Sequence, residues 1–156
     1  MSKIKIFSLG GLNENGKNMY VVEVDKDIFI FDAGLKFDND RNLGIDYIIP
    51  SFDYIVKNKK RVKGVFLSHG HDSNMGAVPD LLETIPTLPV YGAKLTLEIL
   101  KNELTEKEIK KYKLIELKPH NKINFGRNSI FPISVTPSIP DALAFVLYTK
   151  DGAIVY

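Results

Sequence analysis

The sequence contains no cysteine among its 156 residues, which excludes disulfide frameworks, thiolate zinc sites and cysteine nucleophiles. It also lacks a long apolar run, because the longest, Ala142 to Tyr148, is far shorter than the roughly 20 residues that span a bilayer. The first residues alternate lysine with apolar side chains and contain no signal-peptide core. We therefore expect a cytoplasmic protein with no membrane partner.

An excess of charge of either sign is also missing, since 21 basic and 19 acidic residues leave a net charge of +2. This balance is too even to indicate nucleic-acid binding by itself. Hydrophobic residues make up 44% and charged residues 26% of the chain, which is typical of a globular domain. The length suits one domain of roughly 100–200 residues.

One short segment concentrates positive charge. A solvated helix end before a buried strand would explain it, and so would a patch that follows RNA phosphates. Both interpretations remain open from the sequence. The cations are Lys57, Lys59, Lys60, Arg61 and Lys63.

Hydrophobic periodicity predicts strands towards both ends of the chain and helices in the middle. This order favours a sheet with helices on one face, in the α+β or layered α/β class. The final strand runs to the last residue, so we expect an N-terminal piece of a longer chain. The predicted strands are Lys3–Leu9, Asn18–Val24, Asp27–Phe31, Val62–Leu67, Lys113–Leu117, Lys122–Phe125, Ser129–Thr136, Ala142–Tyr148 and Ala153–Tyr156. The predicted helices are Phe52–Lys59, Gly76–Thr84, Ala93–Asn102 and Thr105–Lys111, and a loop is predicted for Leu35–Pro50.

The candidate chemistry lies after the strand that ends at Leu67. His69 and His71 are spaced i,i+2, which places both imidazoles on one side of an extended backbone. Gly70 between them allows a tight turn and the approach of a ligand. A following helix would direct its positive N-terminal dipole at the same point and favour an anion such as phosphate. Two imidazoles alone do not hold zinc, which takes three or four protein ligands. The two histidines can therefore be part of a metal site or ordinary loop residues, and both interpretations remain open.

Five further segments stand in order around this motif: Leu9–Tyr20, Phe31–Phe37, Leu43–Pro50, Val90–Thr96 and Ser138–Asp141. Together with His69-Gly70-His71, they resemble the ribonuclease J family, which has a metallo-β-lactamase fold of the β-CASP type. The resemblance implies that residues 1–156 are the N-terminal half of an αββα sandwich, with a two-metal site at the sheet edge. It also implies zinc or manganese as cofactor, RNA as substrate, and assembly into homo- or hetero-oligomers with a paralogue.

Several positions depart from the ligands that this resemblance implies. Ser73 stands where the family has an aspartate, Asn74 where it has the closing histidine, and Pro137 where it has a third histidine. The aspartate that bridges both metals would follow Tyr156. The resemblance therefore leaves His69 and His71 as metal ligands, and Asp72 replaces a lost ligand only after a local shift in register.

Three functions are compatible with this pattern. We favour an RNA-processing and decay protein with a degraded metal site, which holds zinc or manganese weakly or not at all and has a non-catalytic or regulatory role beside an active paralogue. The second is an active metal-dependent 5′ exo- or endoribonuclease with an altered site. The third is a binding module that holds an anion beside His69 and His71.

Other polar and aromatic residues are assigned structural roles. Asp32, at the end of a strand, is expected to be a structural carboxylate near the motif loop. Asp46 and Asp141 are expected in turns or helix caps, and His120 in an exposed loop. Packing, rather than base stacking, is expected for Tyr20, Tyr47, Tyr54 and Tyr91.

Overall fold

The fold is that of a computed structural model, which describes residues 1–38, 44–136 and 138–156. The described strands form two larger sheets and one small hairpin. They are Ile4–Gly10 (β1), Met19–Val24 (β2), Asp27–Phe31 (β3), Lys36–Phe37 (β4), Tyr47–Ile48 (β5), Val62–Phe66 (β6), Pro89–Gly92 (β7), Lys113–Glu116 (β8), Ile123–Phe125 (β9), Asn128–Val135 (β10), Ala142–Thr149 (β11) and Gly152–Val155 (β12). The helices are Asp53–Asn58 (α1), Asp72–Met75 (α2), Val78–Thr84 (α3) and Lys94–Glu106 (α4).

The larger sheet has the strand order β1-β2-β3-β6-β7-β8. Its first three strands form an antiparallel meander, whereas β3, β6, β7 and β8 are parallel. Parallel neighbours need a crossover connection, which α1, α2 with α3, and α4 supply in turn. The carboxyl ends of all four parallel strands therefore meet at one edge of the sheet.

One hydrophobic core lies between the larger sheet and the helices. All four helices contribute apolar side chains to it, among them Ile55, Met75, Leu81 and Leu100, which are fully buried. The helices consequently cover a single face of this sheet. Among the described residues, no helix combines the length and the apolar character that crossing a membrane requires.

A second core lies between the larger sheet and the smaller sheet, whose order is β12-β11-β10-β9. Aromatic rings dominate it, with Phe66 near its centre and stacked on Tyr91 at a centroid distance of 4.7 Å. Each well-placed aromatic pair contributes about 0.5–1.5 kcal/mol beyond the area that it buries. Phe66 also contacts Phe29, Phe31, Phe125 and Phe145.

The layered α/β class predicted from the sequence is confirmed, as an α/β/β arrangement in the part of the chain that the structure describes. Two local predictions were wrong. The separate helix Thr105–Lys111 does not form, because α4 continues its apolar face through Leu104 and the Thr105 hydroxyl donates to the Lys101 carbonyl at 2.8 Å. The segment predicted as one loop instead contains the paired strands β4 and β5.

The half-buried carboxyl of Glu103 on α4 generates a prediction about pH. Burial, and then the negative charge of Asp72, raises its pKa to about 7. A carboxyl whose pKa is higher in the folded than in the unfolded state stabilises the fold at low pH, and this contribution is lost as pH rises through about 7. Glu103→Gln should therefore flatten the pH dependence of the unfolding free energy between about pH 4.5 and 7 and stabilise the protein at about pH 8.

Urea unfolding at a series of pH values measures this effect. Glu83→Gln, at an exposed position on α3, is the matched control and should follow the wild-type profile. A Glu103→Gln profile with the wild-type slope would contradict the prediction.

Candidate functional site

The motif lies at the carboxyl edge of the parallel strands. Two segments meet there through backbone hydrogen bonds: Ala33 N–H donates to the Asn74 carbonyl and Leu35 N–H to the Asp72 carbonyl, both at 2.8 Å. Gly34 lies between them, and a Cβ atom there would stand only 1.7 Å from the Ser73 carbonyl oxygen. The close approach of the two segments therefore requires glycine at this position.

Asp32 is the centre of the polar network at this edge. Its side chain is fully buried, and it accepts hydrogen bonds from the Ser68 N–H at 2.7 Å, the Ser68 hydroxyl at 2.8 Å, the Asn74 amide at 2.7 Å and the Tyr156 hydroxyl at 2.7 Å. Burial raises the pKa of the Asp32 carboxyl, whereas these four hydrogen bonds oppose the rise. Burial also raises the pKa of Tyr156, which keeps its phenol a donor.

The network continues from Asp32 to both histidines. Ser68 Oγ lies 2.8 Å from His69 Nδ1, and His69 Nε2 lies 3.0 Å from His71 Nδ1. Because the single hydroxyl proton of Ser68 points at Asp32, His69 Nδ1–H must donate to Ser68, and His71 Nδ1–H to His69 Nε2. Burial lowers the pKa of His69, partly offset by the negative charge of Asp32, which favours this neutral tautomer.

The two rings confirm the prediction that both imidazoles lie on one side, with centroids 4.6 Å apart. The helix that follows the histidines, α2, contains only four residues, and one turn carries little aligned dipole, so the anion site stays a prediction. Gly70 does not take a left-handed conformation. A Cβ atom there would lie 2.9 Å from Ile99 Cδ1, so glycine allows the motif to pack against α4.

His69 and His71 fit two ligands of one metal once the His71 proton moves from Nδ1 to Nε2, which frees both facing nitrogens. A tetrahedral zinc with about 2.0–2.1 Å to each nitrogen separates its ligands by about 3.3 Å, close to the 3.0 Å between His69 Nε2 and His71 Nδ1. No group of three or more His, Cys, Asp or Glu side chains with metal-binding geometry occurs within 1–38, 44–136 and 138–156. The Asp32 oxygens are already occupied by donors, so the described residues do not fit a two-metal centre.

A family model described as the metallo-beta-lactamase superfamily matches residues 12–148. The chain belongs to this superfamily. Members generally bind metal ions, and His69 and His71 are the motif side chains that could serve as ligands among the described residues.

Curated relatives with high similarity are named Ribonuclease J 2. The proteins of Staphylococcus epidermidis and Staphylococcus aureus are 44% identical to this chain over 154 residues, and that of Staphylococcus saprophyticus is 42% identical. Each match covers 98% of this chain and 28% of the relative. The chain thus spans little more than a quarter of the length of these relatives.

Solved structures with the same fold are more distant in sequence. A protein of unknown function from Enterococcus faecalis V583 has a TM-score of 0.74 and 21% identity, with coverage of 99% of this chain and 43% of that one. Human tRNase Z, short form, has a TM-score of 0.67 and 16% identity, with coverage of 96% and 67%. These similarities concern the fold alone.

The structure shows where the substituted positions Ser73 and Asn74 lie and what they contact. The Ser73 hydroxyl donates to Asn74 Oδ1 at 2.7 Å, so both side chains belong to the hydrogen-bond network around Asp32. Asp72 is exposed at the start of α2, and Pro137 lies outside the described residues. Sequence reasoning missed Ser68, which directly precedes the motif, and Tyr156, which is 124 positions from Asp32 and carries no sequence signal.

The basic segment lies at the opposite edge of the sheet, before β6. Lys57, Lys59 and Lys60 are exposed. Arg61 instead forms an ion pair with the buried Glu23, and it donates to the Asp25 carbonyl at 3.1 Å. The hydrogen bond from Tyr54, followed by the contact with Arg61, lowers the pKa of Glu23 against the effect of burial. Lys63 pairs with Asp27 at 3.0 Å. The five cations of the segment therefore divide into Arg61 and Lys63, which are held by carboxylates, and three lysines that form no ion pair with the residues that the structure describes.

The remaining side chains occupy structural positions. Asp141 Oδ2 accepts from the Leu95 N–H at 3.4 Å, at the start of α4, as expected for a cap. His120 is exposed, and its backbone N–H donates to the Pro132 carbonyl. Asp46 is exposed. The tyrosines pack or hydrogen-bond within the fold, as shown by the ring contacts of Tyr20, Tyr54 and Tyr91 and the hydroxyl contacts of Tyr47.

Tyr156→Phe tests the network around Asp32. The substitution removes one donor to a buried carboxylate and keeps the ring that stacks on Phe31 at 5.2 Å. A lost hydrogen bond to a charged group costs about 1.5–3 kcal/mol, so urea unfolding should show a loss of this size. Tyr112→Phe removes the same atom from an exposed ring and should change stability by less than about 0.5 kcal/mol. Equal effects of the two variants would show that Asp32 does not need the phenol.

Arg61→Gln separates the structural arginine from its lysine neighbours. Removal of the guanidinium leaves the buried Glu23 carboxylate with Lys5, at 3.4 Å, as its remaining cation. Breaking such a pair should cost about 3 kcal/mol, the lower end of the range for buried pairs, because Arg61 is partly exposed. Lys60→Gln makes the same change in charge one residue earlier, and we expect less than about 0.5 kcal/mol in the same unfolding measurement. Similar losses in both variants would contradict the structural role of Arg61.

Proposed function

We propose that this chain is the N-terminal segment of a cytoplasmic, ribonuclease J-like protein of RNA processing and decay whose metal site is degenerate. In this proposal the protein binds RNA and acts beside an active paralogue, with a regulatory rather than a catalytic role. Membership of the superfamily and the similarity to the proteins named Ribonuclease J 2 support the RNA-related part.

The degenerate metal site is inferred from the hydrogen bonds that the side chains of Ser73 and Asn74 form within the protein. Cleavage of phosphodiesters by two-metal enzymes depends on metals that generate hydroxide and stabilise the phosphoryl oxygens. Here the Asn74 amide donates to Asp32, and its oxygen accepts from Ser73. Both side chains are neutral and already paired inside the protein. Only His69 and His71 offer nitrogen ligands at the motif.

A single observation favours the second candidate, an active nuclease with an altered site. The 3.0 Å separation of His69 Nε2 and His71 Nδ1 suits two ligands of one ion. A single metal could therefore be held if other donors completed its coordination. For this reason the experiment must detect weak, metal-dependent turnover.

Purified full-length protein should be assayed for bound metal and for cleavage of labelled single-stranded RNA with added zinc or manganese, with and without chelator. We expect RNA binding that persists with chelator, and no turnover above that of His69→Gln/His71→Gln. His120→Gln is the matched control, because it removes an exposed histidine outside the motif. Chelator-sensitive cleavage that is lost in the double variant and kept in the control would establish the second candidate.

The restored variant Ser73→Asp/Asn74→His/Pro137→His provides the converse measurement. It reinstates the three ligand types that the family resemblance implies. Loss of one hydrogen-bond partner of a ligand typically lowers metal affinity about 10–100-fold, so regaining three ligands should raise the metal affinity by more than this. Co-purification with an active ribonuclease J paralogue tests the regulatory role. Unchanged metal affinity would show that the substitutions are not the cause of the loss.

A further inference from the structure

The topology brings three helix ends together at the amino edge of the parallel strands. Each connecting helix runs back across the sheet, so the residues after α1, α3 and α4 enter the amino ends of β6, β7 and β8. Because β7 lies between β6 and β8 in the sheet, the connection after α3 lies between the other two. Segments that are far apart in the sequence therefore become neighbours at this edge.

Two of these connections carry exposed lysines, and fifty positions separate the groups in the sequence, from Lys60 to Lys110. Lys57, Lys59 and Lys60 follow or end α1, and Lys110 and Lys111 precede β8. All five are exposed. In the part of the chain that the structure describes, none of the five takes part in an ion pair.

Two shallow clefts join the groups into one surface. Lys59 and Lys60 line a cleft of about 380 Å³, and Lys110 and Lys111 line one of about 400 Å³. Pro86, in the connection after α3, lines both clefts. We call the five lysines together with Pro86 the amino-edge surface.

The charge of this surface is neutralised locally only in part. In the second cleft Lys110 and Lys111 stand beside Glu83 and Glu108. The residues that line the first cleft beside Lys59 and Lys60 include no acidic side chain, so the uncompensated charge lies mainly there. Lys107 also lines the second cleft but is paired with Asp80 at 3.1 Å. Lys57 lies in the last turn of α1, and Lys59 and Lys60 follow it directly. A helix C-terminus favours such cations by a few tenths of a kcal/mol.

The chemistry of lysine indicates the kind of ligand. A lysine ammonium is a point charge on a flexible stem, suited to phosphates in varied positions, whereas arginine forms the planar fork that reads base edges. The one arginine of this segment is held by Glu23. A surface of this composition is suited to contacts with the phosphates of a nucleic acid, which carry no sequence information.

We propose that the amino-edge surface binds the backbone of single-stranded RNA, at the edge opposite His69 and His71. About 16 Å of strand separates the two edges, given five residues in β6. RNA at this surface is therefore held away from the motif, and the role is one of retention. The proposal rests on the proposed function for the choice of RNA among polyanions.

The salt dependence of RNA binding tests this assignment. For single strands, each phosphate contact contributes about −0.7 to the slope of log K against log salt concentration. Fluorescence anisotropy of a labelled oligoribonucleotide with full-length protein and chelator, at about 50 to 200 mM KCl, measures the slope. Lys110→Gln/Lys111→Gln should reduce its magnitude by about 1.4, and Lys59→Gln/Lys60→Gln by the same amount.

The matched control is Lys118→Gln/Lys122→Gln, which removes two exposed lysines of the β8–β9 connection and should leave the slope unchanged. Equal reductions in the control and in either amino-edge pair would show diffuse attraction and overturn the assignment. The same lysine dependence for heparin, with none for RNA, would also overturn it.

The failure of each proposal has its own signature. A wild-type protein that binds no RNA would contradict the proposed function as well as the surface. A wild-type protein that binds RNA, with unchanged slopes in both amino-edge variants, would overturn the surface alone. Unfolding midpoints equal to the wild type show that each variant is folded in these measurements.

Discussion

The buried carboxylate of Asp32 is the constraint on which the candidate site depends. A carboxylate withdrawn from water must be matched by donors or by positive charge, and the donors here come from Ser68, Asn74 and Tyr156. Ser68 lies in the loop after β6, Asn74 lies in α2, and Tyr156 directly follows β12. Because Asp32 accepts hydrogen bonds from all of them, it links the two sheets and the motif loop at one point.

The same constraint explains how the superfamily fold accommodates a motif with so few metal ligands. Asn74 and Tyr156 satisfy Asp32 with neutral donors, so the edge of the sheet holds its shape through hydrogen bonds among protein groups. His69 and His71 are oriented by this network through Ser68. The alignment of the two histidines is explained by these hydrogen bonds, so it is by itself no sign of catalysis.

Local pattern was sufficient for much of the fold. The alternation of β1 and the apolar stretches of β2, β3 and β6 predicted strands close to those observed. It failed where the local signal competed with packing. The separate helix predicted for Thr105–Lys111 does not form, because α4, with its apolar face, continues into the first residues of that segment. The four residues of β7 were too short to show a period.

The sequence by itself determined the layered class, the absence of thiolate chemistry, and the placement of His69 and His71 on one side of a strand end, because these follow from residue type and a period of two. Only the tertiary structure decided that Arg61 belongs to Glu23 and that Tyr156 belongs to Asp32. The same holds for the meeting of Lys60 with Lys110 at one edge. The physical reason is that each of these contacts joins segments distant in the chain, and the order of strands in the sheet, which no local pattern encodes, sets which segments become neighbours.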